Sequence, residues 1–246
     1  MTGTDLEAAL ARVATADVLL VASDYDGVLS PIVPNPEDAV PHRGALDAFL
    51  AVSRHPSVRS VIISGRSEPT LESFVGTPIG VHLIGNHGAL VGGTPTDEQR
   101  ATVESITDSL TRIAARHPGA AVEPKRLGAA FHYRHAKDRN GAMDDARAAV
   151  TGFDARIIEG KEVLEVVIGH GTKGTAIEAV RAQTDAEIVV YVGDDVTDED
   201  VFTSLGPDDI GIKVGDGPTA ARFRIGGPDD VAGAFATLER FLSARR

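Results

Sequence analysis

The stretch VLLVASDYDGVLSPI, residues 18–32, decides the fold. Val18 to Ala22 is a short apolar run with β-branched residues, the pattern of a buried strand in a parallel sheet. It runs into Asp24-Tyr25-Asp26-Gly27. Residues i and i+2 of a strand share a face, so Asp24 and Asp26 can reach one ligand. Gly27 permits a sharp turn away. Two carboxylates this close repel unless a proton or a cation sits between them. An Asp-Gly turn after a strand is also common, so the stretch alone leaves a plain turn open.

Outward from this strand, periodicity predicts a short helix over 5–13 and an irregular, proline-rich loop at Pro31, Pro34, Pro36 and Pro41. A helix over 44–54 places Leu46, Phe49 and Leu50 on one face. VRSVIIS (58–64) reads as a second buried strand ending at Ser64-Gly65-Arg66, and VHLIGNHG (81–88) as a third. Strands alternating with helices predict an α/β fold with a parallel sheet. From about Thr94 the pattern changes. A polar helix (97–116) precedes AAVEPK and AAFHYR, then a helix (138–150), ARIIE and KEVLEVVI. The stronger alternation suits a smaller α+β insert whose sheet has one wet face. After Gly171 the first pattern resumes with the helix TKGTAIEAVRAQ, the strands EIVVYVGDD and DIGIKVG, and a helix over 229–244 carrying Val231, Phe235, Leu238 and Leu242 on one side. The expected organisation is a discontinuous core, 1–93 and 170–246, split by an inserted domain at 94–169.

The chain has 246 residues, 42% hydrophobic and 24% charged, enough apolar surface for a packed globular core. It has no cysteine, which excludes disulfides, thiolate catalysis and cysteine-type zinc sites. The net charge of −12 argues against a nucleic-acid partner. An anionic substrate would then need metal ions and local cations to invert the field at its site. The N-terminal sequence lacks a basic start and an apolar core, and no apolar run approaches the roughly 18 residues of a membrane span. The expectation is a cytoplasmic protein without membrane partners. The lack of a long exposed apolar helix points to a monomer.

In open parallel sheets, ligands sit beyond the carboxyl ends of the strands. Four predicted strands end in polar groups: Asp24 and Asp26, Ser64 and Arg66, Asn86 and His87, Asp194 and Asp195. In GDDVTDED (193–200), five acids fall within seven residues. A helix N-terminus favours acids, which accounts for Asp198 to Asp200 but not for Asp194 and Asp195 at the strand end. Two acidic clusters at one sheet edge suggest a hard cation, Mg²⁺ above others. Lys173 opens a helix, where phosphate binds well, and Ser64 offers a hydroxyl donor. A carboxylate nucleophile, a second acid, a hydroxyl, a lysine and Mg²⁺ together make a phosphoryl-transfer site. A competing pattern exists. Gly169-His170-Gly171-Thr172-Lys173-Gly174 fits G-x-G-x-x-G, with Asp194 placed 20 residues later. A dinucleotide-binding oxidoreductase would leave Asp24, Asp26 and Ser64 without roles, so it ranks second.

Read in order, DYDGVLSPI, IISGR, GNHGA, VEPKRLGAAFHYR, KEVLEVVIGHGTKG and VGDDVTDEDVF resemble the trehalose-6-phosphate phosphatases of the haloacid dehalogenase superfamily, from about residue 18 to 205. The resemblance implies a Rossmann-like core with an α/β cap inserted after the second motif, and cap closure over the site. Only 39 residues separate Asp24 from Ser64, too few for a cap there. It implies that Asp24 is the nucleophile and Asp26 the general acid and base, with Ser64 and Lys173 holding phosphoryl oxygens. Asp24, the carbonyl of Asp26 and Asp194 would bind Mg²⁺, supported by Asp195 and Asp198. Glu123, Lys125, Arg134, Lys161 and Glu165 match the family's sugar-binding residues, and Arg66, Asn86 and His87 would line the core side. Charged residues on a wet sheet face are ordinarily just solvated, and His132 and Tyr133 read as packing residues. Val28 stands where the family often has threonine, and VVIGHG lacks the expected proline. The implied activity is hydrolysis of trehalose 6-phosphate. Another phosphorylated disaccharide or pseudodisaccharide, and a non-catalytic sugar-phosphate sensor, are the alternatives.

Overall fold

The computed structural model describes residues 3–89, 95–160, 162–169 and 171–245. The chain divides into two compact units, one formed by Met1–Gly88 with Thr172–Arg246 and the other by Ala89–Gly171. In chain order the first unit begins with α1 (Gly3–Val13), β1 (Leu19–Asp24), α2 (Arg43–Ser53), β2 (Val58–Ile63), α3 (Glu68–Val75) and β3 (Val81–Ile84). The second contains α4 (Asp97–Ala114), β4 (Ala121–Lys125), β5 (Gly128–His132), α5 (Arg139–Val150), β6 (Ala155–Gly160) and β7 (Val163–Ile168). The chain then returns to the first unit with α6 (Lys173–Thr184), β8 (Ile188–Gly193), α7 (Glu199–Ser204), β9 (Ile210–Val214), β10 (Phe223–Ile225) and α8 (Pro228–Ser243).

In the first unit, six parallel strands run in the order β10-β9-β8-β1-β2-β3. The α/β class with a parallel sheet is therefore as expected. Strand β1 is buried along its whole length. Its side chains alternate between two cores, as a period of two requires. Leu19 and Val21 join Phe49, Val52, Phe235, Leu238 and Leu242 beneath α1, α2 and α8. Leu20 and Ala22 join Ile177, Val180, Tyr191 and Phe202 on the α6 side. The chain steps from β1 to β2 and β3 in one direction and later from β8 to β9 and β10 in the other. The order reverses between β1 and β8. In open parallel sheets this reversal point, at the carboxyl ends of the strands, is where ligands bind.

Two expectations need correction. Strand β1 ends at Asp24, so Asp26 lies beyond it and the two acids do not share one strand face. The cause is a tight turn. The Tyr25 carbonyl accepts from the amides of Leu29 and Ser30, and Gly27, at φ +80°, donates to the Ser30 carbonyl. Strand β3 ends at Ile84 and does not run to Gly88. Asn86 and His87 adopt left-handed backbone conformations, held by hydrogen bonds from their amides to the carbonyls of Arg66 and Ser64. Helix α3 escaped the periodicity reading because Pro69 looks like a breaker. Pro69 sits in the first turn, where it is tolerated, behind the cap that Ser67 provides to Thr70. Strand β10 has three residues and α7 six, too short to carry a periodic signal.

In the second unit, an antiparallel sheet of order β4-β5-β7-β6 lies under α4 and α5. Thr96 and Gln99 form a reciprocal cap on α4, and Asp138 caps α5. Phe131, Leu164 and Val166 pack with Ile106, Leu110 and Ala146. The other face carries Glu123, Ala130 and Glu165 in one cross-strand row.

Phe49 and Phe235 meet edge to face at 5.3 Å where α2 packs on α8. Phe49→Ala is expected to lower unfolding stability by about 3–5 kcal/mol through lost burial and an unfilled cavity. Urea denaturation measures it, and a loss under about 1 kcal/mol would mean that this contact does not anchor the core.

Candidate active site

The carboxyl ends of β1 and β8 gather groups from several segments. Asp24 ends β1 and is almost fully buried. Lys173 is the first residue of α6, behind the cap that Thr172 forms with Thr175. Its side chain is also buried, and its Nζ donates to Asp24 Oδ2 at 2.7 Å and to Asp198 Oδ1 at 2.8 Å. Asp198 Oδ1 also accepts from the Tyr191 hydroxyl at 2.6 Å, and its Oδ2 accepts from the amides of Asp194 and Asp195 at 2.8 and 2.9 Å. Four donors thus occupy this carboxylate. Asp195 is exposed and caps the short turn 196–198 by accepting from the Val196 amide.

Asp24, Asp194 and Asp198 each bring a ligand atom within 4.8 Å of the others. Lys173 is the ammonium that these acids share, Lys213 acts on Asp194 as well, and the acids still outnumber the cations. Burial opposes the charge on Lys173, but Asp198 and Asp24 outweigh it and hold the lysine protonated, above its usual range. Asp198 is also penalised by burial, yet Lys173, Tyr191 and the amides hold it below the usual carboxylate range. Asp24 is pushed well up by burial and by its acidic neighbours. Asp194 is pushed up to about 7, by burial first and then by Asp198. Crowded, partly desolvated carboxylates of this kind are relieved by a hard cation with oxygen ligands, so this acidic triad suits a divalent metal. Four donors already fill Asp198, whereas Asp24 accepts from Lys173 and the Tyr25 amide.

Two close approaches explain the glycines. A Cβ on Gly27 would fall 2.1 Å from Asp194 Oδ2, and one on Gly193 would fall 2.4 Å from Asp198 Cγ. The remaining predicted core residues interlock beside the triad. Ser64 is buried and its Oγ accepts from the Arg66 amide at 3.1 Å. The Arg66 guanidinium grips Asp26 through two bonds of 2.7 Å. Asn86 and His87 are both buried, and Asn86 Oδ1 has no hydrogen-bond partner among the described residues.

In the second unit, Lys125 pairs with Glu165, and both side chains are about nine-tenths buried. This is not a merely solvated pair. Glu123 accepts from His132 at 3.0 Å, which holds its carboxyl below the usual range. Arg134 follows β5 and meets Glu162 at 3.2 Å. Lys161 lies outside the described residues. His132 was expected to pack, yet it is half-exposed beside Glu123. Two further residues escaped sequence reasoning. Tyr191 supplies the hydroxyl on Asp198, and Lys213, buried in β9, donates to the Asp194 carbonyl. Each is a polar residue inside an apolar strand run, which obliges it to find a partner.

A parallel sheet with acids at its reversal point and a separate antiparallel α+β unit define an α/β fold of two units. The trehalose-phosphatase family model matches residues 22–225, and the chain belongs to that family. It is 35% identical to the trehalose-phosphate phosphatase of Mycobacterium marinum over 89% of this chain and 61% of that protein. It is 32% identical to the bifunctional trehalose-6-phosphate synthase/phosphatase of Thermoproteus tenax, over 90% of this chain and 31% of that protein. The chain thus spans about three-fifths or less of the length of these relatives. The fold matches the C-terminal domain of C. albicans trehalose-6-phosphate phosphatase with a TM-score of 0.78 and 23% identity, covering 95% of this chain and 96% of that one.

Gly27→Ala is expected to weaken the dependence of the melting temperature on divalent cation by displacing Asp194, and unchanged cation dependence would overturn that. The pH dependence has a definite sign. Asp24 and Asp194 bind protons more tightly folded than unfolded, so their contribution to metal-free stability falls as pH rises from about 4 to about 7. Asp198 and Glu123 act oppositely, and their contributions are mostly gained in the lower part of that window. The gap in melting temperature between excess Mg²⁺ and EDTA should therefore widen across it, and a gap independent of pH would overturn the assignment.

Proposed function

We propose that this chain hydrolyses trehalose 6-phosphate to trehalose and phosphate in a Mg²⁺-dependent, two-step reaction. The observation that carries the reading is the buried Lys173 bridging Asp24 and Asp198 at the sheet's reversal point, in a chain of the trehalose-phosphatase family. Asp24 is the nucleophile. Its oxygen bonds to phosphorus as the bond to the sugar oxygen breaks, and Asp26 gives that oxygen a proton. Water then attacks the aspartyl-phosphate, Asp26 takes its proton, and the bond to Asp24 breaks. Lys173 and Ser64 hold phosphoryl oxygens. Asp24, Asp194 and the Asp26 carbonyl would hold Mg²⁺, with Asp195 and Asp198 behind them, and the ion would supply compensating positive charge for the phosphoryl group.

Substrate recognition falls to Asn86 and His87 in the first unit and to Glu123, Lys125, Arg134, Lys161 and Glu165 in the inserted segment, about 94–169. The buried Asn86 Oδ1, without a partner among the described residues, supports the first group, and the buried Lys125–Glu165 pair supports the second. The same reading expects a cytoplasmic monomer. The net charge of −12 speaks against a nucleic-acid partner, and no described helix is long and apolar enough to cross a membrane.

Phosphate release from trehalose 6-phosphate, sucrose 6-phosphate, glucose 6-phosphate and an aryl phosphate, with Mg²⁺ and with EDTA, tests the proposal. Strong Mg²⁺-dependent preference for the first is expected. Preference for another sugar would replace the substrate, and no release from any would overturn the activity. Asp24→Asn should cut turnover at saturating substrate by about a thousandfold or more, and turnover within about tenfold of wild type would remove Asp24 as nucleophile. Glu165→Gln should raise KM for the sugar phosphate more than it lowers kcat, and an unchanged KM would remove Glu165 from the sugar site.

A further inference from the structure

Arg66 is held on several sides. Its amide donates to Ser64 Oγ, and its carbonyl accepts from the Asn86 amide. Its guanidinium lies 5.0 Å from the centre of the Phe74 ring and 5.7 Å from that of Tyr25, two rings that are themselves stacked at 5.7 Å. Phe74 belongs to α3, and Tyr25 stands between Asp24 and Asp26, so the arginine is anchored both to the sheet edge and to a packed helix. From this support its Nε donates to Asp26 Oδ2 and its NH2 to Asp26 Oδ1, each at 2.7 Å. The arginine side chain is 13% exposed and that of Asp26 33%.

A two-pronged guanidinium–carboxylate pair fixes the plane of the carboxylate as well as its position. A lysine in the same place would fix neither. Arginine forks also suit phosphate, and sequence resemblance alone assigns Arg66 to the substrate. The structure instead spends the fork on Asp26.

We propose that Arg66 is a positioning residue that sets the orientation of the Asp26 carboxyl. This rests on the phosphatase reading above. When Asp26 protonates the departing sugar oxygen, one of its oxygens carries the proton toward the leaving group and the other remains on Arg66. When Asp26 takes the proton of the attacking water, the same hold aims the free oxygen at that water. The pair thus alternates between a two-bond and a one-bond form, and the fork keeps the carboxyl in plane throughout. The role differs from phosphate binding in a measurable way. A positioning residue changes turnover on a substrate whose leaving group needs a proton, and leaves phosphate affinity alone.

The test compares Arg66→Lys and Arg66→Ala with wild type in the full chain with Mg²⁺. The substrates are trehalose 6-phosphate, whose sugar oxygen needs a proton to depart, and p-nitrophenyl phosphate, whose phenolate does not. Both variants should lose about 100-fold in kcat on trehalose 6-phosphate, with KM and inhibition by inorganic phosphate within about threefold of wild type. On p-nitrophenyl phosphate the first step survives and the water step does not, so a burst of one p-nitrophenolate per enzyme should precede slow turnover. Arg66→Lys keeps the charge and loses the fork, so it should not restore activity. It also carries the test if Arg66→Ala does not melt as a folded protein.

KM and the inhibition constant of inorganic phosphate both rising about tenfold with kcat retained would overturn the proposal and return Arg66 to the substrate. An equal fall on both substrates without a burst would reduce Arg66 to a packing role. A wild-type chain inactive on both substrates would overturn the phosphatase reading and this role with it.

Discussion

The buried ammonium of Lys173 ties the first unit together at its active end. A desolvated charge is tolerated only where it is paired and hydrogen-bonded, and stripping one partner from such a pair typically costs about 3–5 kcal/mol. Here Asp24 closes one side and Asp198 the other. Asp198 in turn draws on the Tyr191 hydroxyl and on two amides of the loop after β8. One nitrogen therefore binds the end of β1, the start of α6, the body of β8 and the acidic loop into a single hydrogen-bonded unit. The arrangement is deliberately short of positive charge. Three carboxylates outnumber Lys173 and Lys213, and burial together with their mutual repulsion keeps Asp24 and Asp194 up-shifted. A group of acids that repel one another is a poor way to stabilise a fold and a good way to hold a cation.

The topology supplies the room for this. Strands added to one side of β1 early in the chain and to the other side late in the chain bring the loops after β1 and β8 to face each other. Closeness then becomes the constraint, and glycine meets it. Without a side chain at Gly27 or Gly193, the carboxylates of Asp194 and Asp198 can lie where a Cβ would otherwise stand. Glycines in the DYDG and VGDD segments thus serve packing around the acids as well as turning the chain.

The inserted unit solves a separate problem in the same terms. Its sheet buries one face beneath two helices, and the other face carries charge. Lys125 on β4 reaches Glu165 on β7 across β5, where Gly128 and Ala130 leave space for it. Alternation along β4 shows that Glu123 and Lys125 share a face, but the depth of the Lys125–Glu165 pair could not be read from that pattern. Burial depends on the neighbouring strand, which the local sequence does not specify. The same limit hid His132, which local pattern assigns to packing and register places beside Glu123.

By itself the sequence determined the parallel α/β core, the inserted α+β segment, the sheet edge where acids collect, and the acids and lysine that assemble there. These are properties of period, punctuation and residue type, all carried within a few neighbouring positions. The tertiary structure decided which charge meets which. Lys173 finds Asp24 across 149 positions of sequence, and Arg66 finds Asp26 across 40. It also turned Asp26 off the strand that ends with Asp24 and gave the two acids different cations. The reason is physical: an ion pair depends on distance and desolvation, and both are set by how strands and helices pack rather than by the residues alongside.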